Sequence, residues 1–311
     1  FDSGKFHLVG DLKKPGSGEV FPAVILVHGD GRATRTQNGF YFPTMDVFLR
    51  AGYAVFSYDK PGSGKSTGAF DEERLRHERA GILTDAVELL AQRDDIETKK
   101  IGVWGISQAG WVMPLAIEKT KKLSFMVVVS GGGESGIDQM GYLLRSNALC
   151  AGYPETEAAE LDSMWVACME ATTYDEYAIL AQRLVPHPVV VAMDCMCCVT
   201  ERDHWTPKRR DGEGFLDPMP IIESYDIPVL AFFGENDTAV DPVQGLEAYE
   251  KALKMSENPQ SRVVLIHGVD HDMIPAETGC PAERRKRTRS DWCNPSQEYL
   301  EQLAGWLALL P

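Results

Sequence analysis

The sequence has no apolar run approaching the roughly 18 residues that a membrane-crossing helix requires, so no segment of it reads as a membrane span. Positive charge is scarce: 31 Lys and Arg stand against 46 Asp and Glu, leaving a formal charge of −15 over 311 residues. Such a surface repels a phosphate backbone and has no attraction for an anionic membrane, which argues against nucleic acid as a partner. Internal repeats and low-complexity segments are absent, so solenoids and long linkers are excluded. The opening Phe1-Asp2-Ser3-Gly4 lacks the pattern of a signal peptide and suits a processed N-terminus. Cysteine is sparse and odd in number. Of the seven, Cys280 and Cys293 bracket a polar loop and could staple it, the alternative being two unpaired thiols in a reduced protein.

What is present is a globular composition, 44% hydrophobic, enough for a large core. Short β-branched runs alternate with helical stretches. Ala23–Val27, Ala54–Tyr58, Ile101–Ile106 and Phe125–Ser130 read as strands, and the unbroken apolar run at Ala23–Val27 suits a strand buried on both faces. Pro43–Ala51, His77–Arg93 and Ala109–Lys119 read as helices between them, the first closed by Gly52. This order implies right-handed crossovers and a mostly parallel sheet. From about 137 to 214 the helical stretches continue without clear strands, Val189–Ala192 being ambiguous. Strand Val229–Phe233, helix Pro242–Lys254, strand Arg262–Ile266 and a closing helix Ser296–Leu309, with Ser296 as its N-cap, then restore the alternation. The reading is one α/β core, residues 1–136 and 215–311, interrupted by a mainly helical insertion at 137–214.

The strongest chemical signal is Gly105-Ile106-Ser107-Gln108-Ala109-Gly110, between a strand and a helix. A serine there sits on a sharp turn with its hydroxyl lifted above the sheet edge, and small residues on either side let the two backbones pass. Ala109 stands where the pattern has glycine. Ser107 needs a base, and the base an orienting acid. After Val229–Phe233 comes Gly234-Glu235-Asn236-Asp237, which makes Asp237 the acid, with Glu235 and Asp241 as competitors. Asp241 before Pro242 suits a helix N-cap. After Arg262–Ile266 comes His267-Gly268-Val269-Asp270-His271, which makes His271 the base and His267 the runner-up. An oxyanion needs two preset donors. The backbone N–H of Gln108 is one. The turn His28-Gly29-Asp30-Gly31 supplies the other, with the N–H of Asp30 favoured and its carboxylate turned away.

Three stretches imitate other chemistry. Gly62-Ser63-Gly64-Lys65-Ser66 resembles part of a phosphate-binding loop, but Asp59 occupies the position of the loop's first glycine. Cys195-Met196-Cys197-Cys198, followed by His204, offers soft ligands in no common zinc spacing, so buried or disulfide-bonded cysteine is the expectation. The basic run Arg284-Arg285-Lys286-Arg287 reads as a solvated loop.

Taken together, Leu8–Leu12, the His28–Gly31 turn, the Tyr58–Ser66 loop and Gly105–Trp111 resemble the α/β-hydrolase superfamily, nearest its bacterial-type esterases and peptidase-like branch. The resemblance runs over most of the chain and is weakest in the insertion. It implies the α/β-hydrolase fold, a mostly parallel central sheet flanked by helices with a helical cap. It also implies acyl transfer by Ser107, His271 and Asp237 without metal or organic cofactor. A carboxylesterase acting on small to medium acyl groups of a small-molecule ester is the leading expectation. An aminopeptidase-like or acyl-peptide hydrolase, or a non-catalytic binding protein on the same fold, are the alternatives. The cap is expected to shape the acyl pocket. Trp165, Trp205 and several methionines could line that pocket or equally form the cap's own core. An acidic, cofactor-free hydrolase with a loop disulfide leans slightly toward an exported protein, and the cysteine-rich cap leans the other way.

Overall fold

In the computed structural model, described for residues 1–69, 75–193, 202, 205–207 and 212–311, the chain opens with a short hairpin of β1 (Asp2–Ser3) and β2 (Phe6–His7). Seven strands then form one sheet: β3 (Gly10–Lys13), β4 (Phe21–Val27), β5 (Ala54–Tyr58), β6 (Ile96–Ile106), β7 (Leu123–Val129), β8 (Val229–Gly234) and β9 (Arg262–Ile266). Their order is β3-β5-β4-β6-β7-β8-β9, with β3 antiparallel to β5 and every other pairing parallel. All six predicted strands of the core are present.

Successive side chains of a strand point to opposite faces, and β4 feeds two cores in this way. Ala23, Ile25 and Val27 join one cluster with Ile82 and Leu83 of α2 (Leu75–Ala91), Val112 of α3 (Ala109–Lys119) and Tyr249 of α9 (Pro242–Ser256). Val24 and Leu26 join another with Met45 and Phe48 of α1 (Phe42–Arg50) and Leu303 and Trp306 of α12 (Gln297–Leu307). Both faces are therefore covered, which is what a parallel sheet demands. Trp104 Nε1 donates to the Tyr299 hydroxyl at 3.0 Å and pins α12 to the sheet. Ser296 does occupy the N-cap of α12, though its side chain makes no capping bond.

Between β7 and β8 lie α4 (Gly136–Cys150), α5 (Glu155–Glu170), α6 (Tyr174–Leu184) and α7 (Pro188–Ala192), followed by α8 (Met219–Ser224). Leu144, Leu161, Met164, Trp165, Cys168 and Tyr177 pack together in a cluster separate from the two sheet cores, with Trp205 against it. These side chains form the insertion's own core. The ambiguous Val189–Ala192 is helical: Pro188 opens the helix at its first position, and Val189 and Val190 are buried in the same cluster. Cys195, Cys197, Cys198 and His204 lie outside the described residues. Among those described, no helix is long and apolar enough to cross a membrane.

Neither the Cys280–Cys293 staple nor its alternative of two unpaired thiols is formed. Cys280, just before α10 (Pro281–Arg284), pairs with Cys150, the last residue of α4, while Cys293 is free and half-buried just after α11 (Arg289–Trp292). Proximity in sequence misled here because Cys150, 130 residues away, is brought beside Cys280 by the packing of α4 against α10.

Candidate active site

Ser107 sits between β6 and α3 with φ +57, in the left-handed region that side chains rarely adopt. Its N–H donates to Val129 O at 2.8 Å, and its own carbonyl accepts from Gly110 N at 2.8 Å. The turn is tight enough that a Cβ on Gly105 would come within 2.5 Å of the Ala109 Cβ. Glycine at 105 is thus required sterically, and the alanine at 109 is accommodated only because of it.

Asp237 follows β8. Its side chain is fully shielded from solvent, and Oδ1 accepts from the N–H groups of Ala239 (2.7 Å) and Val240 (3.0 Å). Those bonds fix the carboxylate so that Oδ2 meets His271 Nδ1 at 2.8 Å. His271, 8% exposed, follows β9. Burial by itself lowers its pKa. The charge of Asp237 and the hydrogen bond to it more than offset burial, so the imidazole stands above its ordinary value, with Asp272 reinforcing and Arg284 opposing. The competitors occupy other places. Asp241 caps α9, accepting from Val243 N and Gln244 N. Glu235 accepts from Gly268 N and pairs with His267, which is exposed.

Ser107 and His271 line one cavity of about 750 Å³, together with Gly29 and Asp30 of the turn after β4. Its apolar lining includes Phe40, Tyr41, Ile106, Trp292 and Cys293, with Arg289 also on the lining. No residue of α4 to α7 is among the lining residues. Among the described residues, the lining comes from the segment entering α1 and from α11 and the residue after it.

Neither the N–H of Gln108 nor that of Asp30 has a hydrogen-bond partner among the described residues. Their side chains are joined, Gln108 Nε2 donating to Asp30 Oδ1 at 2.9 Å. Two buried cations behind this turn escaped sequence reasoning. Arg79 of α2 donates to the His28 carbonyl and to Gln108 Oε1. Lys60, after β5, donates to the carbonyls of Gly29 (3.0 Å) and Gly31 (2.6 Å). Each stands in a stretch with other charges and so looks like surface. The only available signal was that Lys60 belongs to the loop resembling the family's own. His28 is a neutral structural residue. Its Nε2 donates to Tyr58 O at 2.5 Å and its Nδ1 accepts from the Tyr41 hydroxyl at 2.8 Å, while burial, ahead of the neighbouring cations, pulls its pKa to about 3.

The phosphate-loop imitation has a different purpose. The Asp59 carboxylate, fully buried, accepts from the N–H groups of Arg35 and Lys65 at 2.8 Å each and pairs with the Arg35 guanidinium. Gly64, at φ +53, leaves no room for a Cβ, which would lie 2.2 Å from Asp59 Oδ2. The glycine-rich loop wraps a carboxylate of its own chain. The basic run is also not a uniformly solvated loop. Arg287 and Arg284 contact the fully buried Asp270 at 2.6 and 3.4 Å, and Arg284 also holds Asp272 at 2.5 Å. These two acids flank His271, so the arginines brace the loop that carries it.

This fold and residue arrangement define the α/β-hydrolase class. Residues 24–284 match the model of the Alpha/beta hydrolase family, and the chain belongs to that family. Comparison with curated proteins returned no match. Among solved structures, DcsB in complex with a substrate analogue is similar over 98% of this chain and 99% of its own, at 16% identity and a TM-score of 0.57. Est1E from Butyrivibrio proteoclasticus, with ferulic acid bound, is similar over 98% and 94%, at 17% identity and a TM-score of 0.56. The Pyrococcus furiosus esterase Pf2001 is similar over 97% and 86%, at 18% identity and a TM-score of 0.57. At these identities the likeness is one of fold.

Proposed function

We propose that this protein is a serine hydrolase that cleaves carboxylic esters of small to medium acyl groups through an acyl-enzyme. The observation that carries the proposal is the 2.8 Å bond from His271 Nδ1 to the buried Asp237 carboxylate, with His271 and Ser107 on one cavity. Because Nδ1–H is engaged by Asp237, Nε2 of the neutral ring is the basic nitrogen. It takes the Ser107 proton as Oγ attacks the acyl carbon, and returns it to the departing alkoxide. Asp237 holds the tautomer and stabilises the imidazolium that forms. The oxyanion is received by the N–H groups of Gln108 and Asp30, fixed before the reaction begins. Water then repeats the sequence against the acyl-enzyme. The contact between Ser107 Oγ and His271 Nε2 that this step needs is one that tightens when substrate is bound.

The apolar walls from Phe40, Tyr41, Ile106 and Trp292 suit an acyl group or an aromatic alcohol. The test is labelling by a fluorophosphonate in the wild type and in Ser107→Ala, followed by p-nitrophenyl esters of rising chain length beside aminoacyl anilides. Labelling of the wild type alone, with ester turnover, is the expected result. Equal labelling of the variant would overturn the assignment of Ser107. Turnover of anilides in preference to esters would favour an aminopeptidase-like activity, and inertness toward both a binding protein.

A further inference from the structure

The turn after β4 is held from behind by two cations, and that hold determines which way its amide groups point. The peptide bonds are all trans, so the C=O of one residue and the N–H of the next are directed oppositely. The Gly29 carbonyl is directed at Lys60 Nζ, 3.0 Å away, so the Asp30 N–H is directed away from Lys60. The Gly31 carbonyl is bound by the same Nζ at 2.6 Å, and the His28 carbonyl by Arg79. Gly29 and Asp30 line the cavity that contains Ser107, and a Cβ on Gly29 would lie 3.2 Å from the Ser107 Cβ. The turn therefore presents one side to the nucleophile and the other to Lys60.

We infer that Lys60 is a positioning residue for the oxyanion hole: its bonds to the Gly29 and Gly31 carbonyls hold the Asp30 N–H toward the reacting carbonyl oxygen. The inference rests on the acyl-transfer reading above. Lys60 touches neither substrate nor Ser107 and acts through the turn. It is anchored for this role. The residue is 4% exposed, its N–H donates to Ala33 O, and its carbonyl accepts from Ser63 N in the loop wrapped around Asp59. Burial first, then the charge of Arg79, pull its ammonium down to about 7, against the opposing pull of Asp30. The hold does not depend on that charge, because a neutral amine keeps two N–H groups for two carbonyls.

A glycine-rich turn without such a clamp could rotate its peptide planes at little cost. An N–H displaced by a fraction of an ångström would still admit the substrate but would no longer meet the oxygen as it becomes charged. Loss of the clamp should thus lower kcat and leave KM alone, the signature of an interaction made in the transition state.

The experiment compares wild type and Lys60→Met, each normalised to active sites by fluorophosphonate titration. It measures kcat and KM for a p-nitrophenyl ester and the affinity of a trifluoromethyl ketone, which forms a tetrahedral adduct on the serine. Expected for Lys60→Met is a kcat lower by about 10²-fold, the order of losing one oxyanion donor. KM should stay within about twofold, and ketone affinity should weaken in parallel with kcat/KM. Unchanged ketone affinity and kcat in a labelled Lys60→Met would overturn the inference, as would a loss confined to KM. Should the Met variant not fold, Lys60→Gln, which retains a donor on a shorter arm, is expected to show the same pattern in smaller measure, and the same two outcomes overturn the inference. Absence of labelling at Ser107 in the wild type would instead overturn the hydrolase reading, and this inference with it.

Discussion

Cys150 and Cys280 join the end of α4 to the loop that follows His271, so the helical insertion and the loop of the proposed base are covalently one unit. The link closes a loop of 130 residues, which removes much conformational freedom from the unfolded chain. Cys150→Ser, or reduction of the wild type, is expected to cost about 2–5 kcal/mol of stability. Urea denaturation with and without dithiothreitol measures this. A midpoint unchanged by reduction would show the link to be energetically idle.

His271 accepts a proton only when neutral, so kcat/KM for an ester should fall as pH drops through its pKa. Asp237 holds that pKa above the ordinary histidine value, so the acid limb should lie higher than for a free imidazole. Asp237→Asn removes the charge that overcomes burial. It should move the limb downward and cut kcat by about 10³–10⁴-fold. A limb in the same place in the variant would mean that another group is titrating.

Arg287→Met leaves Asp270 fully buried and held, among the described residues, by Arg284 and by the N–H groups of Asp272 and Ile274. Stability should fall by about 3 kcal/mol, as when one partner of a buried pair is removed. Because Asp270 adjoins His271, kcat should fall as well. Thermal unfolding and ester turnover, read together, check the two halves of this expectation.

Trp292 walls the cavity and lies beneath the guanidinium groups of Arg284 and Arg287 at 5.7 and 5.3 Å. Trp292→Ala should raise the ratio of kcat/KM for long over short acyl esters by about tenfold or more. A parallel loss of about 1 kcal/mol of stability follows from the missing ring. An unchanged chain-length profile would place the acyl group elsewhere in the cavity.

The sheet was legible, and so were the strand ends that carry the candidates Ser107, Asp237 and His271, because each depends on local chemistry. A strand that must turn sharply into a helix demands small neighbours, and the proposed acid and base follow consecutive strands. Where the determinant was tertiary, sequence proximity failed. Cys280 has Cys293 nearer along the chain and Cys150 nearer in space. Four β-branched and small residues at Val189–Ala192 favour a strand by propensity, but Pro188 and a helical cluster override it. Arg284, Arg287, Lys60 and Arg79 look like surface charge because their partners, Asp270, Asp272 and the carbonyls of the β4 turn, are known only once the chain is folded.

Besides Ile106 and Ser107, the cavity is walled by residues from Gly29 to Tyr41 and from His271 to Cys293, segments more than 200 residues apart. During synthesis the turn at Ser107 can form once Val129 is available to receive the Ser107 N–H, long before His271 has been added. A growing polypeptide thus exposes a serine with no base beside it and half of its cavity missing. In the proposed reaction, a ribosome-bound chain is inert until the segment from Asp237 to Cys293 has emerged and docked.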